Sequence, residues 1–146
     1  MAAFANIRPS LWRSSKVRQL EGIEKLIAIY MMTNEHFNMI GLYRLPISLI
    51  DSDIALGLAQ ITAAIERLTD VGFCKYDHDH EVVWVVDMAK TQAIGGAPKP
   101  NQKQCKGVAN IITRLYEEEY PFIEDWLQLH HKRFKLDPDI DNLAYE

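Results

Sequence analysis

LAQITAAIERLTDVGFCKYDHDHEVVWVV, residues 58–86, changes its periodicity at a single residue, Gly72. Before that glycine, Leu58, Ile61, Ala64, Ile65 and Leu68 recur at the three- and four-residue spacing that lines up one helix face, which predicts a helix over about 58–71. Directly after it come two β-prone runs, 73–77 and 82–86, joined by the polar His78-Asp79-His80-Glu81, the pattern of a hairpin with a polar tip. Few small folds run a strand, a turn and a second strand straight off the end of a helix.

Outward from this stretch, Ile47, Ile50 and Ile54 predict a helix that begins after Pro46 and breaks near Gly57. Met39 to Leu45 is short, apolar and stopped by Pro46, which suits one brief strand. Ile23, Leu26, Ile27, Tyr30 and Met31 mark an amphipathic helix over 21–33 with Asn34 as its stop, and Leu11, Trp12, Val17 and Leu20 form an apolar lead-in. Helix, short strand, helix, tight turn, helix and hairpin is the order of a winged helix-turn-helix, in which the helix at 58–71 enters a major groove and the hairpin at 73–87 is the wing. The expected fold is therefore mostly α with a small β-hairpin: a winged helix-turn-helix over 10–92, a Gly/Pro-rich connector AIGGAPKPN at 93–101, and a C-terminal helical extension over 102–134. Val108, Ile111, Ile112 and Leu115 mark the first helix of that extension, at 102–119. Pro121 opens a second, with Phe122, Ile123, Trp126 and Leu127 inward. The acidic, proline-broken tail at 135–146 is expected to be loose or to dock.

A chain of 146 residues is long enough to bury a core without cross-links, and its two cysteines, Cys74 and Cys105, form neither a disulfide framework nor a zinc ribbon. Both thiols are expected to be structural or incidental, in a reduced, cytoplasmic protein. The longest apolar run, 26–32, is too short for a bilayer, and the start MAAFANIRP lacks the apolar stretch of a signal peptide, so no membrane is expected. Walker, G-x-G-x-x-G, H-E-x-x-H and G-x-S-x-G patterns are missing, and neither an enzyme nor a cofactor is expected. Asp77, His78, Asp79 and His80 carry groups that bind transition metals, but no third fixed ligand accompanies them. His130 and His131 lie about 100° apart on a helix, which prevents them from sharing an ion and suits a surface pair. Trp12, Trp84 and Trp126, at apolar spacing, belong to the core rather than to a base-stacking channel.

The formal charge of −4 argues against nucleic acid only as a total. Along the chain it alternates: +3 over 1–30, −6 over 31–87, +5 over 88–116 with no acid at all, and −6 over 117–146. On the helix at 58–71 the candidate readers are few. Gln60 suits a bidentate contact to adenine, Arg67 reaches guanine or phosphate, Thr62 is polar, and Ala63 can pack on a thymine methyl. Asp77, Asp79 and Glu81 cluster at the hairpin tip and would repel phosphates, with Lys75 and Arg44 as the nearby cations. The acid-free block is the better electrostatic candidate: Lys103, Lys106, Asn110 and Arg114 recur at i, i+3, i+7 and i+11 on one helix face, with Lys99 just ahead.

Trp12, Lys16-Val17-Arg18-x-Leu20, Glu24-Lys25-Leu26, the run from Ile29 to Asn34, the block Asn38 to Pro46, and Gly72 to Asp77 followed by Val82 to Val86 resemble the N-terminal winged-helix region of phage-encoded replication proteins, the replisome-organiser or DnaD-like group. The resemblance covers about residues 10–110, and Asn38 to Pro46 is its most specific piece. It implies binding of duplex or forked DNA at a replication origin, with a helicase loader or another replisome protein as partner. A homo-oligomerising protein-interaction module without DNA binding, and a transcriptional regulator, are the alternatives from the same fold.

Overall fold

The computed structural model describes residues 4–92 and 99–144; the expected connector at 93–101 falls mostly outside them. A 3-10 turn (Pro9–Arg13) and a single turn α1 (Ser15–Arg18) lead into α2 (Gly22–Thr33). There follow β1 (Leu42–Arg44), α3 (Ile47–Ile54), α4 (Leu58–Asp70), β2 (Cys74–Asp77) and β3 (Val82–Val85). After the short α5 (Ala89–Gln92) come α6 (Gln102–Glu117), α7 (Ile123–Phe134) and α8 (Ile140–Ala144). The protein is mostly helical, as expected, but its β structure is a three-stranded antiparallel sheet in the order β1-β3-β2 rather than a lone hairpin.

β3 is central, pairing Leu42 and Lys75 with Trp84 from either side, and Tyr43 and Tyr76 with Val83. All four of its residues are buried, which requires both faces of the sheet to be covered, since successive side chains point to opposite faces. One face, with Tyr43, Cys74, Val83 and Val85, closes a core with Ile27 and Met31 of α2 and Ile61, Ile65 and Leu68 of α4. The other, with Leu42, Val82 and Trp84, closes a second core with Val108, Ile112 and Leu115 of α6 and Trp126, Leu127 and Phe134 of α7. The helical extension thus buries its apolar stripe on the sheet of the preceding module.

Local stops differ in detail from expectation. Asn34 ends α2 with extended backbone (φ −68°, ψ 165°), not in the left-handed region. Its side chain does the work instead: Nδ2 donates to the Tyr30 carbonyl (2.9 Å) and to Tyr43 Oη (2.7 Å), while Oδ1 accepts from the His36 amide (2.8 Å). The brief strand shrinks to three residues because Gly41 turns the chain with φ +74°. Between α3 and α4 the chain bends by 113°. Ala55 and Gly57 take positive φ there, and the Gly57 amide donates to Asp51 Oδ1 at 2.8 Å. The tail docks: Ile140 of α8 is buried in the second core, and Tyr116 Oη donates to Asp141 Oδ1 at 2.9 Å.

Trp84 and Trp126 are core residues, whereas Trp12 is 56% exposed, because Leu11 is the residue of that turn packed against the first core. His130 is likewise not a surface residue: it is 1% exposed, with its ring 4.9 Å from that of Trp126. Its place on the apolar stripe of α7, three and four residues from Leu127 and Trp126, accounts for this. Among the described residues, no single helix is long and apolar enough to cross a membrane.

Candidate nucleic-acid interface

The nine charged or polar residues singled out from the sequence are divided by the fold among separate surfaces. α4 leaves Gln60 exposed, and Thr62 lines a shallow groove with Leu58, Tyr76, His78 and Glu81. Among the described residues neither lysine nor arginine lines that groove. Arg67 does not join Gln60; it turns back toward the start of α2, where Nη2 donates to the Gln19 carbonyl (3.3 Å) and Nε lies 3.9 Å from Glu24 Oε1. Its part is to tie α4 to α2.

Arg44 and Lys75 fall on the sheet face turned away from α4. The two-residue strand period decides this, because each shares a face with Leu42 and Trp84. Lys75 Nζ sits 5.5 Å above the Trp84 ring and 3.9 Å from Asp125 Oδ2 of α7. Among the described residues neither cation forms an ion pair with Asp77, Asp79 or Glu81. Asp77 is held below its ordinary pKa chiefly by the His80 amide, which donates to Oδ1 at 2.9 Å, and His80 Nδ1 lies 3.1 Å from the same oxygen. His78 instead meets Tyr76 edge to face, with ring centroids 4.9 Å apart, so the two tip histidines turn to different partners.

On α6 the anticipated stripe is exposed. Asn101 caps the helix, accepting from the Gln104 amide (2.8 Å) while its own amide donates to Gln104 Oε1 (2.9 Å). Lys106, Asn110 and Arg114 line one open groove, but Glu117 and Leu143 of α8 share it. Lys103 is exposed one turn nearer the helix start. Arg114 and Arg44 come together electrostatically around Tyr120: burial and then Glu118 raise its phenol, and both arginines oppose that rise.

Lys99 belongs elsewhere. It lines a groove of about 630 Å³ with Lys90 of α5, Lys132 and Arg133 of α7, and Lys135 just past the α7 C-terminus, with Leu129 in its wall. Five cations meet in this groove, and four of them, Lys90, Lys132, Arg133 and Lys135, are not among the candidates singled out from the sequence. Lys132, Arg133 and Lys135 sit in a block whose net charge is −6, which hides them. Lys90 pairs at 3.2 Å with Asp87, which also pairs at 3.0 Å with Lys16. Burial raises the Asp87 carboxyl, but the two lysines outweigh it and hold the group below its ordinary pKa. No His, Cys, Asp and Glu cluster of metal-binding size occurs among the described residues.

No protein-family model, curated protein or solved structure matches this chain.

Proposed function

We propose that this chain is a DNA-binding protein of winged-helix type, of phage or prophage origin, acting in the cytoplasm at initiation of DNA replication. One observation carries the reading: α2, β1, α3, α4, β2 and β3 follow one another as in a winged helix-turn-helix, with strands ordered β1-β3-β2 and a 113° bend between α3 and α4. Fold alone does not fix function. The five cations gathered in one groove, four of them without an ion pair among the described residues, supply what the fold does not, a field that attracts a polyanion despite the negative total. In this role the chain presents duplex or forked DNA to a helicase loader or another replisome protein.

The test is direct binding of labelled duplex, forked and single-stranded DNA by the full chain from low to moderate salt. Affinity for duplex or fork that falls steeply with salt is the expected result. Absence of binding to all three at low salt refutes the proposal.

A second reading, a protein-interaction or oligomerisation module of the same fold, draws on a different observation. The α4 side carries an exposed Leu58 beside an acidic hairpin, and Ile23 and Leu26 are exposed together on one face of α2. Light scattering at high concentration separates the two, since a monomer removes the self-assembly form of this reading. A transcriptional regulator of the same fold differs from the first reading only in its DNA site and partner.

A further inference from the structure

We infer that the groove ringed by Lys90, Lys99, Lys132, Arg133 and Lys135 holds the sugar–phosphate backbone of duplex DNA, and that the chain binds DNA there without reading sequence through α4. The inference rests on the proposed DNA-binding function and assigns it a place and a mode.

The charge arrangement carries it. Among the described residues, Lys99, Lys132, Arg133 and Lys135 form no ion pair, and Lys90 shares its single carboxylate, Asp87, with Lys16. Like charges brought to one concavity repel, and a polyanion seated among them relieves that repulsion. Cations at a helix C-terminus complement its dipole, which accounts for Lys132 and Arg133 in the last turn of α7. It does not account for Lys90 and Lys99, which reach the same groove from α5 and from the approach to α6.

The lining also narrows the ligand. Among the described residues no aromatic side chain lines the groove, so these offer bases no stacking platform of the kind single strands need. Ammonium and guanidinium groups around Leu129 suit phosphates and the apolar edge of a sugar, contacts that position a duplex without specifying sequence. The α4 face could add little specificity, because Arg67 is bound to Gln19 and Glu24 while Arg44 and Lys75 lie across the sheet. Four to five neutralised phosphates correspond to a log–log salt slope of about −3.6 to −4.5, or roughly a 150- to 500-fold loss of affinity between 50 and 200 mM salt.

The experiment is fluorescence anisotropy with the full chain and two unrelated 20-base-pair duplexes over that salt range, with anionic phosphatidylglycerol vesicles as a parallel arm. The variants are Lys132→Glu with Arg133→Glu, Lys135→Gly, Lys103→Glu with Lys106→Glu, and Gln60→Ala. Lys135 has φ +55°, so glycine there removes a cation while suiting the backbone, and this variant keeps the test alive if the double charge reversal fails to fold.

The expected result is similar affinity for the two duplexes and a loss of about tenfold or more for the α7 double variant at low salt. Lys135→Gly should flatten the salt slope by about 0.9. Gln60→Ala and the α6 pair should stay within a few-fold of the parent chain. Duplex binding that survives both groove changes, or that depends on Gln60 or on the α6 lysines, overturns the groove assignment and leaves the DNA function standing. Parent-chain binding to vesicles but to neither duplex, lost in the groove variants, overturns both and reassigns the groove to lipid headgroups. Absence of binding to any DNA refutes the function itself.

Discussion

Trp126 Nε1 donates a hydrogen bond to the carbonyl oxygen of Ile40 at 2.9 Å, across 86 positions of sequence. The bond sits in the second core and joins α7 to the segment that leads into β1. Trp84, the other buried tryptophan, has no hydrogen-bond partner for its indole N–H among the described residues. The two residues therefore respond differently to the same change. Trp126→Phe removes a donor and orphans a buried carbonyl, costing about 1–3 kcal/mol beyond the lost packing. Trp84→Phe removes an N–H that is already unsatisfied and should cost less. Urea denaturation of the two variants, compared at equal m-value, checks the order, and equal losses would contradict it.

Two glycines should respond to alanine with opposite signs. At Gly41, with φ +74°, an added Cβ would lie 2.7 Å from Met88 Cβ and 2.8 Å from the Val85 carbonyl oxygen, neither of which can swing aside. Left-handed backbone and overpacking together make Gly41→Ala cost about 3 kcal/mol. Gly107, inside α6, would meet nothing within 4 Å. Gly107→Ala should stabilise the protein by about 0.5–1 kcal/mol through helix propensity. Melting temperatures should move down and up respectively.

His130 gives stability a pH dependence of definite sign. Its Nε2 lies 2.8 Å from the Val86 carbonyl, while its Nδ1 is buried without a partner among the described residues. Burial holds the imidazole below its ordinary pKa, helped by Lys90 and Arg133, and the Val86 carbonyl and Asp87 only partly oppose this. The unfolded chain takes up the proton near pH 6.5 and the folded one only at lower pH. The stabilising contribution of neutral His130 is therefore complete above about pH 6.5 and shrinks as pH falls through that value toward the folded pKa. Unfolding free energy should decline between pH 7 and 5, and His130→Gln should flatten that decline. An unchanged slope in the variant would show that another group is responsible.

The two thiols should differ in reactivity. Cys74 is buried at the start of β2, and burial pushes its thiol up to about 12, whereas Cys105 on α6 is half-buried. A thiolate is the reacting species. At pH 8 the native protein should take one maleimide, at Cys105, and in urea it should take two. Labelling of Cys74 at native conditions would mean that β2 opens readily.

The sequence by itself determined α2, α3, α4, α6, α7 and the three strands, because their signals are local, whereas it pointed to neither α5 nor α8. The three- and four-residue spacing in 58–70, Gly72, and the β-prone runs on either side of the polar tip each act within a few residues. It also separated the charge into blocks of opposite sign. What it left open was decided by contacts between distant segments. The fully apolar Val82 to Val85 run hints that both sheet faces are covered, yet only packing shows that α6 and α7 cover the second one. The strand period puts Arg44 and Lys75 on one face with Leu42 and Trp84, and that packing makes it the face turned away from α4. The packing likewise gathers Lys90 and Lys99 with Lys132, Arg133 and Lys135, which lie in a block of opposite net sign. Charge counted along a chain averages over neighbours in sequence, whereas the field a ligand meets is summed over neighbours in space. The tertiary structure alone converts one into the other.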